Sequence, residues 1–432
     1  MVHRNIQQLY AVWLILTAAL LLVGCDGKSS VAKQKVKVGV LHSQTGTMRD
    51  SEKPVLDATL MAIDEINEKN LIPGIYIEAV VEDGASNPKT FARKAEKLIR
   101  DDKVVAIFGG WTSASRKAIK PIVERYDSIL LYPVQYEGVE ESPNIIYLGA
   151  APNQQIIPAV YWAMKDMGKK RFFLVGSDYI FPHTANEIIK DQLRALGGEV
   201  VGESYIPLGS KKVEATIDQI VEAKPDIILN TLNGDTNKAF FQQLRDAGIN
   251  SDEIPTISFS IGENEVKKIG ARNIAGDYLS WNYFQSIDTP ENKEWVRQFG
   301  ERYGENRVTS DPMEAAYSGV YLWASSAFDA EHAVEEGIFE GQCSADGVRA
   351  HISGQSFKAP SGLVFIHPEN HHLYKTVRIG KIGSDGQIRI VWTSDVAVRP
   401  EPYPVFRTAE SWKDFVATLN REWGGSWSAP AN

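Results

Sequence analysis

Lys37-Val38-Gly39-Val40-Leu41 is a short apolar run that reads as a buried strand, and it leads straight into the polar turn His42-Ser43-Gln44-Thr45-Gly46. Beyond it, Val55, Leu60, Ile63 and Ile66 fall on one helical stripe within 55–68. Tyr76 to Val81 is a second strand, and Asn87-Pro88 opens a helix carrying Phe91, Ala95, Leu98 and Ile99 at helical spacing. Val104 to Phe108, a helix from Ser113 to Tyr126, and Ile129 to Tyr132 continue the alternation. It restarts near Asn153: helix 154–167, strand Phe172 to Val175, helix 183–196, strand Val200 to Tyr205, helix 212–223, strand Asp226 to Leu229, helix 236–247, strand Thr256 to Phe259. Strands alternating with helices of this length imply βαβ units and parallel sheets. Two such series predict two doubly wound α/β domains with a break near Gly149–Pro152. After Tyr283 come helices over 290–303 and 312–330, then strands Leu363 to Ile366, Tyr374 to Ile379 and Ile388 to Trp392. That tail fits a chain that crosses back between domains.

The N-terminus carries a separate message. His3 and Arg4 precede an apolar run from Leu9 through Val23, and Leu22-Val23-Gly24-Cys25 follows. A basic start, a short apolar region and a small-residue cleavage site mark a secretory leader over 1–24. A cysteine directly after Leu-Val-Gly looks like a bacterial lipobox, which predicts lipidation of Cys25. Residues 25–34 then read as a short polar linker from the anchor. Two acyl chains anchor stably because each buried CH₂ contributes about 0.8 kcal/mol. The expected location is the periplasm or cell surface, lipid-anchored to the outer face of a bacterial membrane.

The chain has 432 residues, 43% apolar and 23% charged, enough for two domains of ordinary size. Its net charge of −9 becomes −10 without the leader, which holds Arg4 and no acid. An acidic chain without basic clusters argues against nucleic acid as a partner. Cys343 is the one cysteine besides Cys25, so it gains no disulfide from an oxidising compartment and reads as an inert thiol. No phosphate-binding loop, nucleophile elbow, zinc-protease motif or cysteine pair at zinc spacing occurs. His367, His371 and His372 lie together in IHPENHHLY, where metal binding is the sharp reading and a polar turn between strands the favoured one. No enzyme activity, cofactor or metal is expected.

The informative segments sit where strands end, because open α/β sheets bind ligands beyond the carboxyl ends of their strands. Five such ends are unusual: Leu41 to Gly46, Gly109-Gly110-Trp111-Thr112-Ser113-Ala114-Ser115-Arg116, Tyr132-Pro133-Val134-Gln135-Tyr136-Glu137-Gly138, Gly176-Ser177-Asp178-Tyr179-Ile180-Phe181-Pro182, and Thr231-Leu232-Asn233-Gly234-Asp235. Hydroxyls, amides and flat aromatics together suit a small, polar, planar guest. Thr112 or Ser113 can cap the following helix, whose free N–H groups would face a ligand oxygen. Ser260 and Glu263 lie just past a further strand. Glu263 either accepts guest N–H groups or compensates a helix N-terminus, and for Asp235 the helix-cap role is favoured.

Those segments carry a family likeness. VGVLHSQTGTM, VVEDGASNP, FGGWTSASRKA, YPVQYEG, GAAPNQQ, GSDYIFP, TLNGDTN and WNYFQSIDTP resemble the type I periplasmic binding proteins of the branched-chain amino-acid and amide class, above all the urea-binding subunits of bacterial urea ABC importers. The likeness runs from about residue 36 to 404. It implies two Rossmann-like lobes joined by three hinge crossovers, with 36–150 and 284–355 in the N-lobe, 151–283 and 356–404 in the C-lobe, and 405–432 as a C-terminal tail. The implied function is capture of urea between the lobes and delivery to a membrane permease with cytoplasmic ATPases. Its alternatives are a receptor for short amides or branched-chain amino acids, for transport or as a sensory lipoprotein. In the urea reading Ser113 and helix-start N–H groups take the carbonyl oxygen, Trp111, Tyr132 and Tyr179 form flat walls, Gln135 serves either edge, and Glu263 accepts N–H bonds. The short-chain amide sensor of the same superfamily shares SDYI-x-P, but Trp111-Thr112 and Val134-Gln135 depart from its pattern.

Overall fold

The computed structural model describes residues 33–335 and 343–430; the leader and Cys25 lie outside them. In chain order the first half comprises β1 (Gln34–His42), α1 (Arg49–Lys69), β2 (Ile75–Asp83), α2 (Pro88–Arg100), β3 (Ile107–Gly109), α3 (Ser113–Arg125), β4 (Leu130–Tyr132) and β5 (Ile145–Tyr147). A second series follows: α4 (Ile156–Lys165), β6 (Arg171–Ser177), α5 (Ile180–Leu196), β7 (Glu199–Ile206), α6 (Glu214–Ala223), β8 (Ile227–Thr231), α7 (Thr236–Asp246), β9 (Thr256–Ser258), α8 (Glu263–Ile269), α9 (Ala271–Ile274) and β10 (Tyr278–Trp281). The remainder is α10 (Pro290–Tyr303), α11 (Asp311–Glu335), α12 (Ala345–Ile352), β11 (Ser356–Ala359), β12 (Gly362–Ile366), β13 (Leu373–Tyr374), β14 (Arg378–Ile382), β15 (Ile388–Thr393) and α13 (Ala409–Glu422).

The first sheet is ordered β2-β1-β3-β4-β5, with β1, β3, β4 and β5 parallel. In the second, β7-β6-β8-β9-β10 repeats that order in parallel, and β14 and β15 extend it antiparallel. Burial on both faces explains the near-continuous apolar strands. Along β6, Phe172 and Leu174 enter one core beside Ile188, while Phe173 and Val175 enter another beside Phe240. Local signals set the helix starts. Asn87 accepts from Thr90 N at 3.1 Å with Pro88 at the first helical position. The first helix begins at Arg49 and carries Pro54 on its buried face, earlier than the apolar stripe suggested.

Several boundaries differ from expectation for physical reasons. Ile145–Tyr147 and Tyr278–Trp281 are strands too short to display a period. The expected strand Tyr374 to Ile379 is two strands in different sheets, separated by Lys375-Thr376-Val377. Ala359, Val364, Ile366 and Leu373 join the core of the first lobe with Trp323. Residues 356–374 therefore side with the first lobe, and the third crossing falls after Tyr374 instead of near 355. Asn282 ties the three crossings together: its Nδ2 donates to Gln154 O at 3.0 Å and to Thr376 O at 3.1 Å.

The segment after 405 is part of the second lobe's packing. Trp412 and Val416 of α13 are buried in the same core as Ile180 and Ile188. Further on, Ile180 N donates to Trp427 O at 3.0 Å, and Ala429 N to Asp178 O at 3.2 Å. The Trp427 ring meets Lys117 Nζ of the first lobe at 4.8 Å. No helix among the described residues is long and apolar enough to cross a membrane.

Candidate functional site

A parallel sheet with this strand order sends the chains leaving two adjacent strands to opposite faces, which opens a crevice beyond their carboxyl ends. In the first lobe the crevice lies between the loops after β1 and β3; in the second, between those after β6 and β8. The two crevices meet. Trp111 Nε1 donates to Asn233 Oδ1 at 3.2 Å, and Asp235 N donates to Thr47 Oγ1 at 3.3 Å. A third bridge comes from the loop after β4, where Gln135 Nε2 donates to Phe259 O at 2.9 Å and to Ser260 Oγ at 3.1 Å.

Around this seam the sequence-predicted residues take definite roles. Thr112 caps α3, its Oγ1 accepting from Ser115 N at 3.1 Å. Tyr132 is buried and its hydroxyl donates to Trp111 O. Ser113 donates to Glu137 Oε2 and accepts from Arg116 Nη1 at 2.9 Å. Tyr179 is buried, and burial raises its phenol well above the ordinary value, with Tyr132 and Glu137 adding to the shift. Tyr179 shares a buried apolar cluster with Ala114 of α3, which brings this second-lobe ring against the first lobe. Trp111, Thr112, Ser113, Tyr132, Gln135, Tyr179 and Ser260 thus collect at one seam.

Glu263 does not join them. Its Oε1 accepts from Gln285 N at 2.7 Å, and it lines a separate cavity of about 440 Å³ with Arg307 and Asp385. Burial, with Asp311 and Glu265 nearby, pushes this carboxyl up to about 8 against the opposing Gln285 N–H. Between the ordinary glutamate value and 8 the folded state holds a proton that the unfolded chain has released, so stability falls as pH rises through that window. Glu263→Gln is expected to flatten this decline, read as thermal midpoints at pH 5, 7 and 9. Equal slopes in both proteins would refute the assignment. Asp235 also departs from its favoured role: its side chain makes no cap and pairs with Lys268 Nζ at 2.8 Å.

What the sequence reading missed is the support beneath Ser113. Arg116 is fully buried beside the rings of Tyr132 and Tyr136, 5.1 and 4.5 Å from their centroids. Its Nη2 reaches Glu137 Oε1 and its Nε reaches Glu140 Oε1, both at 2.9 Å. Lys117 Nζ donates to Glu140 Oε2 at 2.8 Å. Burial opposes these charges, but Glu137 and Glu140 hold the guanidinium well above its ordinary value, and Lys117 and Arg116 hold Glu140 well below its own. The signal was Arg116-Lys117 on one helix and Glu137, Glu140 and Glu141 in the next loop, which look like ordinary surface charges.

The three histidines form a turn between β12 and β13. His367 Nδ1 accepts from Glu369 N at 3.2 Å, and His372 stacks on Tyr147 with ring centroids 4.3 Å apart. Burial lowers His372 to about 3. No group of three or more metal-ligating side chains occurs among the described residues. Cys343 is buried, which pushes its thiol up to about 12, as suits an inert group.

Comparison with known proteins agrees with this architecture. A family model described as a periplasmic binding protein domain matches residues 36–409. The Leu/Ile/Val-binding protein homolog 6 of Brucella melitensis is 23% identical over 358 residues, covering 80% of this chain and 87% of that protein. A protein named limonene hydroxylase from Geobacillus stearothermophilus is 31% identical over 160 residues, but the match covers only 36% of this chain and 27% of that protein. Among solved structures, the leucine-binding protein LivK of Thermotoga maritima superposes with a TM-score of 0.72 at 20% identity, over 83% of this chain and 98% of that one. An ABC-transporter solute-binding protein of R. palustris in complex with 4-hydroxybenzoate gives a TM-score of 0.72 at 23% identity, over 84% and 98%. These structural likenesses establish the type I fold, and the family match over most of the chain establishes the rest: this chain belongs to the periplasmic binding protein family.

Proposed function

We propose that this chain is an extracytoplasmic receptor, held at the membrane by lipid on Cys25, that closes its lobes on urea and delivers it to the permease of an ABC importer. The observation that carries this reading is the set of hydrogen-bonding valences left over at the seam. Ser113 Oγ spends its proton on Glu137 and one lone pair on Arg116, which leaves one acceptor position. Tyr132 spends its proton on Trp111 O and keeps an acceptor oxygen. Gln135 spends its amide protons on Phe259 O and Ser260 Oγ, while its buried Oε1 has no partner.

Three unspent acceptors at the seam call for a guest with N–H donors on its edges. Urea supplies four N–H groups and one carbonyl. The carbonyl oxygen then belongs with the first N–H groups of α3, which have no intrahelical acceptor. Ser113 therefore accepts from the guest, the reverse of the donor role expected for it from sequence. Each buried acceptor left unmatched costs about 1–3 kcal/mol, so the site favours N–H-rich guests. Walls from both lobes make closure depend on the guest, since a solute touching one lobe alone has no differential affinity for the closed state.

Ser113→Ala and Tyr179→Ala should each weaken urea binding by at least about tenfold while leaving the protein folded. Calorimetric titration with unchanged affinity in both variants would remove the site from the seam. Ligand identity is tested by thermal shift with urea, acetamide and L-leucine. Guest at about 100 times its dissociation constant adds about 2.7 kcal/mol of stability. A shift with leucine and none with urea would move the assignment to the branched-chain amino-acid receptors, the reading that the Brucella and Thermotoga relatives' names favour.

A further inference from the structure

We infer that Glu137 determines specificity at this seam by barring carboxylate-bearing guests, so that the protein separates an amide from the acid of the same shape. The inference rests on the seam being the ligand site and adds which chemical class it refuses. Glu137 is fully buried and lies directly behind Ser113, with one oxygen on the Ser113 hydroxyl and the other on Arg116 Nη2. The buried cations of the cluster are both committed. Arg116 spends Nε on Glu140, Nη1 on Ser113 and Nη2 on Glu137, and the rings of Tyr132 and Tyr136 lie against it. Lys117 spends its ammonium on Glu140 and the Trp427 ring.

Arg116, Lys117 and Lys120 against Glu137, Glu140 and Glu124 form a neutral set, so no net charge is left in the cluster to balance an incoming anion. An amide and its acid differ at one group: NH₂ gives a proton to Ser113 Oγ, where the carboxylate brings lone pairs against a lone pair. Behind that hydroxyl stands the Glu137 charge, and like charges in a dry site repel strongly. Removing the Glu137 charge leaves Arg116 in excess by one, which converts the floor of the site from neutral to cationic.

The test titrates purified protein with urea, acetamide, acetate and L-leucine by calorimetry, in the wild type, Glu137→Gln and Glu140→Gln. The expected result is an amide-over-acid preference of at least about 100-fold in the wild type, narrowed by at least about tenfold in Glu137→Gln. Should Glu137→Gln fail to fold by circular dichroism, Glu140→Gln decides, since it frees the same unit of positive charge one position further from the guest. Wild-type protein that binds urea and acetate comparably overturns the filter and leaves the receptor reading standing. A preference unchanged in every folded variant overturns it too. Protein that binds none of the four overturns the receptor reading itself.

Discussion

Arg116→Met is expected to destabilise the protein by about 3–5 kcal/mol, because it strips the guanidinium from two buried carboxylates, leaving Glu140 with Lys117 and Glu137 with Lys117 only at 3.9 Å. The guanidinium makes three hydrogen bonds to Glu137, Glu140 and Ser113 and lies against the rings of Tyr132 and Tyr136. Methionine matches part of the volume but none of the donors. Differential scanning calorimetry should report a midpoint lower by about 4–6 °C. The measurement separates charge from cavity through a second variant: adding Glu137→Gln and Glu140→Gln to Arg116→Met should recover a large part of the loss. A midpoint within a degree of wild type in the single variant would mean that the pair of carboxylates does not depend on Arg116. Heat is the right perturbant, since urea as a denaturant would also be the proposed ligand.

Gly109→Ala should be as damaging by a different route. Gly109 ends β3 with φ at +152°, and a Cβ there would lie 2.0 Å from the carbonyl oxygen of Leu41 in β1. That neighbour is paired backbone, with Gly110 N donating to the same Leu41 O at 2.9 Å, so it cannot rotate aside. The strand pair must separate, and with it the Gly110–Ser113 turn that carries Trp111. We expect a loss of at least about 3 kcal/mol and no measurable urea binding. Gly168→Ala is the control: its φ is +69°, nothing lies within 4 Å of the added Cβ, and only the conformational cost of about 1–2 kcal/mol remains. Equal midpoints for the two alanine variants would show that the Leu41 contact is not the cause.

Much of the architecture was legible because it is written in local periods. The apolar stripe of α2 and its Asn87-Pro88 start, the two βαβ series, and the polar strand ends all follow from residues a few positions apart. What escaped was set at long range. Tyr374 to Ile379 looks like one strand, and only the competition between two sheets divides it at Lys375–Val377. The Arg116 cluster joins groups 21 and 24 residues apart, so each charge alone resembles a solvated helix face. The role of Ser113 was invertible for the same reason: a hydroxyl donates or accepts according to neighbours that the local sequence does not name.

The stretch shared with the family stops at 409, yet the last helix and Trp427 follow it, with Trp412 sunk into the second lobe and Trp427 resting on Lys117 of the first. A piece trimmed to the family limits would expose a raw apolar scar and lose its clasp across the seam. Anyone grafting this module into a biosensor must carry the chain through Trp427, because the buckle is sewn outside the common pattern.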